Sequence, residues 1–301
     1  MMPYVRAYHD TSQAVEASSL WSALSFNSEA FSSGGLHSTA TNNSRITFAS
    51  SGYYIVSAGT EWSLSADSYR HLGIRKNGSS VIVASGRWTN PTGSTANPSL
   101  TVTTMDLFDS GDYVEAVVRH EAATSQFVLY SSKYSPFFAA VQAPTTKAIR
   151  LTHSAAQTIS TGNSYTGLNF DTEIFDTIGA HSTAAATSEI NLGLSTGIWL
   201  MGASCEWQRA AITTGTYMHL ALREEGFAIA DDGLFAGEVH VGQQGAGQNT
   251  LFMTAQSGEA MASTFMMTVR ARQNATPGST LDILATLSYS PIFWAVKMEP
   301  L

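Results

Sequence analysis

Val5-Arg6-Ala7-Tyr8-His9, followed by Gln13, returns later in the chain as Ile149-Arg150-Leu151-Thr152-His153, followed by Gln157. Phe26-x-x-Glu29-x-Phe31 returns as Phe170-x-x-Glu173-x-Phe175, and His37-Ser38-Thr39-Ala40 as His181-Ser182-Thr183-Ala184. At each landmark the offset is 144 (153 − 9, 170 − 26, 181 − 37). A constant offset of that size marks one fold written in tandem, since solenoid and propeller repeats are much shorter. The 301 residues suffice for two domains that each bury a core, and the expected boundaries are 1–143 and 144–301. The linker Ala143-Pro144-Thr145-Thr146-Lys147 is short, which implies two domains packed close in a fixed relationship.

Nearly every readable segment alternates with a period of two and is rich in β-branched or aromatic residues. In the first copy these are Tyr4 to His9, Arg45 to Phe48, Tyr53 to Trp62, Tyr69 to Lys76, Val81 to Ala84, Leu100 to Phe108, Tyr113 to His120, Phe127 to Tyr130 and Phe137 to Gln142. Asn77-Gly78 between two such runs is a hairpin signal, because both residues tolerate positive φ. The second copy offers Ile190 to Leu194, Ile198 to Trp207, Tyr217 to Glu224, Phe227 to Ala230, Thr250 to Ala255, Ala262 to Ala271 and Ile283 to Val296. There Glu225-Gly226 stands where the first copy has Asn77-Gly78. Helical spacing is confined to Ser12 to Ala23, a stretch whose Ser and Thr content also suits a loop or short strand. The chain is therefore expected to be all-β, two tandem antiparallel β-sandwiches, with the jelly roll as the version that leaves few edges exposed.

Charged residues make up 13% of the chain and the net charge is −8, so nothing here would displace counterions from a nucleic-acid backbone. Small hydroxyl residues fill the stretches between strands, a composition more typical of extracellular β proteins and virion surfaces. Cys205 lies in the apolar run Leu200-Met201-Gly202-Ala203-Ser204-Cys205 and reads as a buried structural thiol. Met1-Met2-Pro3 leads straight into an alternating segment, without the pattern of a signal peptide. No apolar run reaches about 18 residues, so no membrane span is read. A product acting outside a cell would then leave the cytoplasm where it is made by another route, such as lysis.

Three further landmarks occur in order: Ser51-Gly52-Tyr53-Tyr54-Ile55-Val56-Ser57, Ile74-Arg75-Lys76-Asn77-Gly78, and Leu107-Phe108-Asp109-Ser110-Gly111-Asp112-Tyr113-Val114-Glu115, with Ser135-Pro136-Phe137-Phe138-Ala139-Ala140 closing the copy. This series resembles the C1q/tumour-necrosis-factor-like jelly roll. The second copy is looser, with Gly197-Ile198-Trp199, Ser257-Gly258-Glu259 and Tyr289-Ser290-Pro291-Ile292-Phe293-Trp294. Tandem modules of this kind, without a collagen stalk, resemble head-spike, capsid-decoration and tail-fibre proteins of bacteriophages and phage-derived particles. The resemblance implies a homo-oligomer, a trimer by family habit or a pentamer at a five-fold vertex, bound to capsid or tail proteins on a virion. An apolar content of 44% with few charges suits such subunit packing.

Residues written twice are read as scaffold. His9/His153 and His37/His181 lack metal-ligand spacing and suit hydrogen bonds to loop backbone, with a histidine ring joining copies or subunits as the sharper alternative. Glu29/Glu173 and Glu61/Glu206 are formally available as paired carboxylates of a glycan hydrolase, but their duplication favours support of the fold. Trp62/Trp207 read as core. Gly111-Asp112 and Gly258-Glu259 read as turns before strands. Asp109, Asp112, Asp171, Glu173, Asp231 and Asp232 lie in presumed turns without the calcium-loop pattern, so no metal or cofactor is expected. No catalytic residue is assigned and the chain is read as a non-enzyme. Residues written once carry the binding expectation: Arg87, Trp88 and Asn90 in one Gly/Pro/Asn-rich loop, and His240, Gln243 and Gln244 in the corresponding region, as contacts to host surface polysaccharide.

Overall fold

The structure, a computed structural model, describes residues 2–17, 20–64, 68–89, 97–131, 134–162, 164–208, 217–224, 234–241, 250–261, 266–273, 280–285 and 290–298. Over 87–89, 217, 224, 234–241 and 250–261 it describes the backbone alone. The chain divides into two compact units, Met1–Ala143 and Pro144–Leu301.

The first unit contains β1 (Tyr4–Tyr8), β2 (Gln13–Val15), β3 (Ser22–Ala23), β4 (Ser28–Ser33), β5 (Arg45–Thr47), β6 (Gly52–Trp62), β7 (Ser68–Lys76), β8 (Ser80–Thr89), β9 (Ser99–Phe108), β10 (Tyr113–His120), β11 (Gln126–Leu129) and β12 (Phe137–Gln142). One sheet runs β2-β11-β6-β12-β1-β4 with β9 also on β6, and the other runs β3-β10-β7-β8 with β5 also on β10. All these pairings are antiparallel. The rows β1-β12-β6-β9 and β5-β10-β7-β8 are those of a jelly roll, in which the chain crosses repeatedly between two facing sheets.

Alternation in the sequence decides which side of each strand is buried. On β6, Tyr54, Val56, Ala58 and Trp62 enter the core with Phe138 and Ala140 of β12, Val102 and Phe108 of β9, and Leu72, Ile74, Val114, Ala116 and Val118 of the facing sheet. The hairpin expected at Asn77-Gly78 is present, with φ of 50° and 70° at its two residues. It is tied to the neighbouring Gly-Asp turn, because Asn77 donates to Asp112 Oδ1 at 2.8 Å and accepts from the Tyr113 N–H at 2.9 Å. Two of the landmarks that carried the resemblance therefore bind each other.

The second unit repeats this plan as β13 (Ala148–Thr152), β14 (Gln157–Ser160), β15 (Thr166–Gly167), β16 (Thr172–Asp176), β17 (Glu189–Ile190), β18 (Gly197–Gln208), β19 (Tyr217–Glu224), β20 (Leu234–Val241), β21 (Thr250–Met261), β22 (Met267–Gln273), β23 (Thr280–Ile283) and β24 (Ile292–Met298). The sheets, β14-β23-β18-β24-β13-β16 with β21 and β15-β22-β19-β20 with β17, match the first unit strand for strand. Even the register irregularity of β1 between Arg6 and Ala7 recurs between Arg150 and Leu151.

The stretch Ser12 to Ala23 holds the short strands β2 and β3, as its Ser and Thr content allows. Several other segments differ from expectation. Ile190 to Leu194 keeps only Ile190 in a strand, β17, and continues as a single 3₁₀ turn at Leu192–Ser195 although Ile190, Leu192 and Leu194 alternate with Asn191 and Gly193. Ile283 to Val296 spans the end of β23 and most of β24. Gly258-Glu259 is mid-strand rather than a turn, because β21 stays paired along the whole of β18, with Glu259 opposite Trp199. Phe227 to Ala230 and Glu225-Gly226 lie outside the described residues.

Candidate functional site

The residues written twice make the same bonds in both copies. Gln13 holds Ser25 by its backbone, donating to the carbonyl and accepting from the N–H, both at 2.9 Å. Gln157 does the same across Gly167 and Asn169, at 2.8 and 2.9 Å. His37 Nδ1 meets Glu29 Oε1 at 2.9 Å and its Nε2 donates to the Asn43 carbonyl at 3.2 Å. His181 meets Glu173 and the Thr187 carbonyl, each at 3.1 Å. Ser135 Oγ accepts from the Glu61 N–H at 2.6 Å and donates to the Leu129 carbonyl at 2.8 Å. Ser290 repeats this with Glu206 and Leu284, both at 2.7 Å. Trp62 and Trp207 are fully buried, and so is Cys205. His9 and His153 each accept at Nδ1 from a backbone N–H two residues on, that of Thr11 and that of Ala155. These histidines hold loops, as the duplication implied.

The carboxylates of Glu29, Glu61, Glu173, Asp112 and Asp171 all accept hydrogen bonds. Burial pushes the Glu29 carboxyl up, but bonds from Ser32 and His37 outweigh it and hold the group below the usual carboxylate range. Asp112 is lowered in the same way, with Asn77, the Asp109 backbone and Lys76 opposing burial. For Asp171 the Ser154 hydroxyl and N–H, Thr172 and His153 do so. Among the described residues no group of three or more His, Cys, Asp or Glu side chains is placed to hold a metal ion. Asp231 and Asp232 lie outside them.

The binding candidates are not all loop residues. Arg87 and Trp88 extend β8, where they pair with Arg70 and Tyr69, and His240 lies on β20 opposite Met218. The loop expectation fails because β7 begins at Ser68, so its partner continues to Thr89 to match it. Tyr69 belongs to the outer row of its sheet and Arg70 to the inner, so the positions of Trp88 and Arg87 fall on different rows. Asn90, Gln243 and Gln244 lie outside the described residues.

A cluster not read from the sequence sits on the outer side of β10 and β7. Trp21, next to β3, meets His71 edge-on at 6.3 Å between ring centres, and the Arg119 guanidinium lies 4.9 Å from the Trp21 ring centre. In the second copy the Tyr165 hydroxyl hydrogen-bonds His219 Nδ1, and Arg272 and Arg223 lie 4.4 and 5.0 Å from its ring centre. Arg119 is the cross-strand partner of His71, and Arg272 of His219. The sequence hides this repeat because Trp becomes Tyr at one corner and the histidine offset is 148 (219 − 71) instead of 144.

The outer side of the β1 sheet in the first copy carries an apolar stretch beside the polar row of Arg6, Ser57 and Thr103. Cross-strand partners share a face, so Phe31, Tyr4, Phe137, Val141, Tyr53, Ile55, Met105 and Leu107 all belong to it. Phe31, Leu107 and Val141 are 53%, 41% and 37% exposed. Tyr4 packs on Phe31 at 5.8 Å, and Arg6 lies 4.2 Å from the Phe137 ring centre. Phe137 lies over Gly59, where a Cβ would meet its ring at 2.1 Å.

No family profile and no curated protein matches the chain. Solved structures do. Murine APRIL at pH 5.0 aligns over 47% of this chain and 99% of its own, at 11% identity and a TM-score of 0.37. Eiger TNF from S. frugiperda aligns over 49% and 98%, at 12% identity and a TM-score of 0.33. The jelly roll itself rests on the strand pairings.

Proposed function

We propose that this chain is a non-enzymatic structural and attachment protein that self-associates on the surface of a virion. The observation that carries self-association is the outer face of the β1 sheet, where Phe31, Leu107 and Val141 stand in water at 53%, 41% and 37% exposure beside Tyr4 and Tyr53. Contiguous apolar surface of this kind marks a protein contact, and a second copy of the chain is its occupant. A trimer is the arrangement the sequence resemblance implies, and the same resemblance supports the particle surface as its location. The hydrogen-bonded carboxylates and histidines support a scaffold in preference to hydrolytic chemistry.

Light scattering on the full chain tests the first part. The wild type is expected as a defined oligomer, and Phe31→Glu with Val141→Glu as a monomer with an unchanged far-UV spectrum. A wild-type monomer at all concentrations would remove the self-association reading. Immunogold labelling of purified particles tests location separately, since unlabelled particles would end the virion assignment and leave the oligomer standing.

A further inference from the structure

Each copy closes its outer sheet face with a strand two residues long. β3 pairs only with Val117 and Val118, and β15 only with Arg270 and Ala271. Beyond them Leu24 and Leu168 anchor the chain in the core, their N–H groups bonded to the Ala116 and Val269 carbonyls at 2.9 and 2.7 Å. On the near side Trp21 and Tyr165 cover a histidine. Trp21 fits because Gly73 lies beneath it, where a Cβ would come 3.3 Å from the indole.

The cover is short, and what it covers can acquire a charge. His71 is 1% exposed. Arg119 faces it from β10, Tyr69 stacks on it at 5.8 Å within β7, Arg70 adjoins it, and Gly86 stands opposite on β8. Among the described residues the acid near it is Glu121, 3.7 Å from Nε2 and itself about one-third exposed. His219 faces Arg272 on β22 and Val239 on β20, with Arg223 four residues along its own strand, Arg270 also on β22, and Tyr165 above. A proton on either ring adds a positive charge among guanidinium groups under a low-dielectric cover.

We propose that β3 and β15 are acid-released straps, which lift Trp21 and Tyr165 from the outer sheet faces when His71 and His219 take up a proton. Release relieves the buried charge by giving the ring water, at the loss of a two-residue ladder. The direction follows from burial. Desolvation first, then Arg119 and Arg70, outweigh Glu121 and hold His71 below its ordinary value of 6.5. A base lowered in the closed form favours that form fully above its open-state value, and the advantage declines as pH falls toward the closed-form value.

Amide exchange on the full chain, expressed as protection factors at about pH 7.5 and about pH 5, reads each strap separately. Protection across 20–24 and 164–168 is expected to fall about tenfold at the lower pH while core strands hold theirs. His71→Gln should abolish the change at 20–24 and leave it at 164–168, so the second copy serves as the control. Arg119→Gln, which removes a cation without touching the histidine, should shrink the change at 20–24. Straps equally protected at both pH values, or a full response in His71→Gln, would overturn the proposal. Should His71→Gln fail to fold, the Arg119→Gln result decides, with an undiminished response counting against it.

Discussion

His120 in the first copy and Gln273 in the second occupy the same place at the end of β10 and β22, and both reach the carbonyl of the matching strand. His120 Nε2 donates to Val15 at 3.0 Å, and Gln273 Nε2 donates to Ile159 at 3.1 Å. By contrast, Ser135 and Ser290 are the same residue making the same pair of bonds. The difference lies in what each position requires. A single donor aimed at one carbonyl can come from an imidazole or an amide. A small group that must accept from one backbone and donate to another, between packed strands, is met by a hydroxyl. Duplicated identity therefore marks bonds with two geometric demands, and duplicated contact without identity marks bonds with one.

The largest test of this equivalence is in the cores. Trp62→Ala and Trp207→Ala, both fully buried, are each expected to destabilise their own unit by about 3–5 kcal/mol in chemical denaturation. A large inequality would mean that the two cores are not packed alike. Next are Ser135→Ala and Ser290→Ala, which each strip a backbone N–H and a carbonyl of their partner and should cost about 1–3 kcal/mol by the same measurement. His120→Gln should cost less than His120→Ala, since the amide can restore the bond to Val15. Equal losses would show that the imidazole is held for something other than that carbonyl.

The smallest effect is electrostatic. Because the Glu29 carboxyl is lowered in the folded state, its contribution is present above the ordinary value of 4.5 and is lost as pH falls through the folded value. Glu29→Gln should flatten that acid limb of the stability curve, read as midpoint against pH. An unchanged limb would assign the acid sensitivity to other carboxylates.

The tandem plan, the all-β class, the Asn77-Gly78 hairpin and the buried tryptophans were legible because each has a short-range signature. Alternation, a turn dipeptide or a constant offset needs only neighbouring residues. The short strands β2, β3, β14 and β15 were not legible, since two to four residues cannot display a period. Trp88 reads as a loop residue because a Gly/Pro/Asn-rich stretch surrounds it, whereas the pairing with β7 carries the strand to Thr89. The Trp21, His71 and Arg119 cluster is assembled from three distant segments, and only strand register brings them together. Gly258-Glu259 was misplaced for the opposite reason, as a turn-like dipeptide held in a long strand by its partner.

The first and last strands of each copy lie side by side. Gln142 donates to the Pro3 carbonyl and Lys297 to the Lys147 carbonyl, each at 3.0 Å. A module whose ends meet can be copied, inserted or excised at one point on its surface without opening a gap in either sheet. That makes the number of copies per chain a variable that evolution can change while leaving each fold intact. It also means that joining the ends of a single copy and cutting it at the Asn77-Gly78 hairpin should yield a chain that still folds.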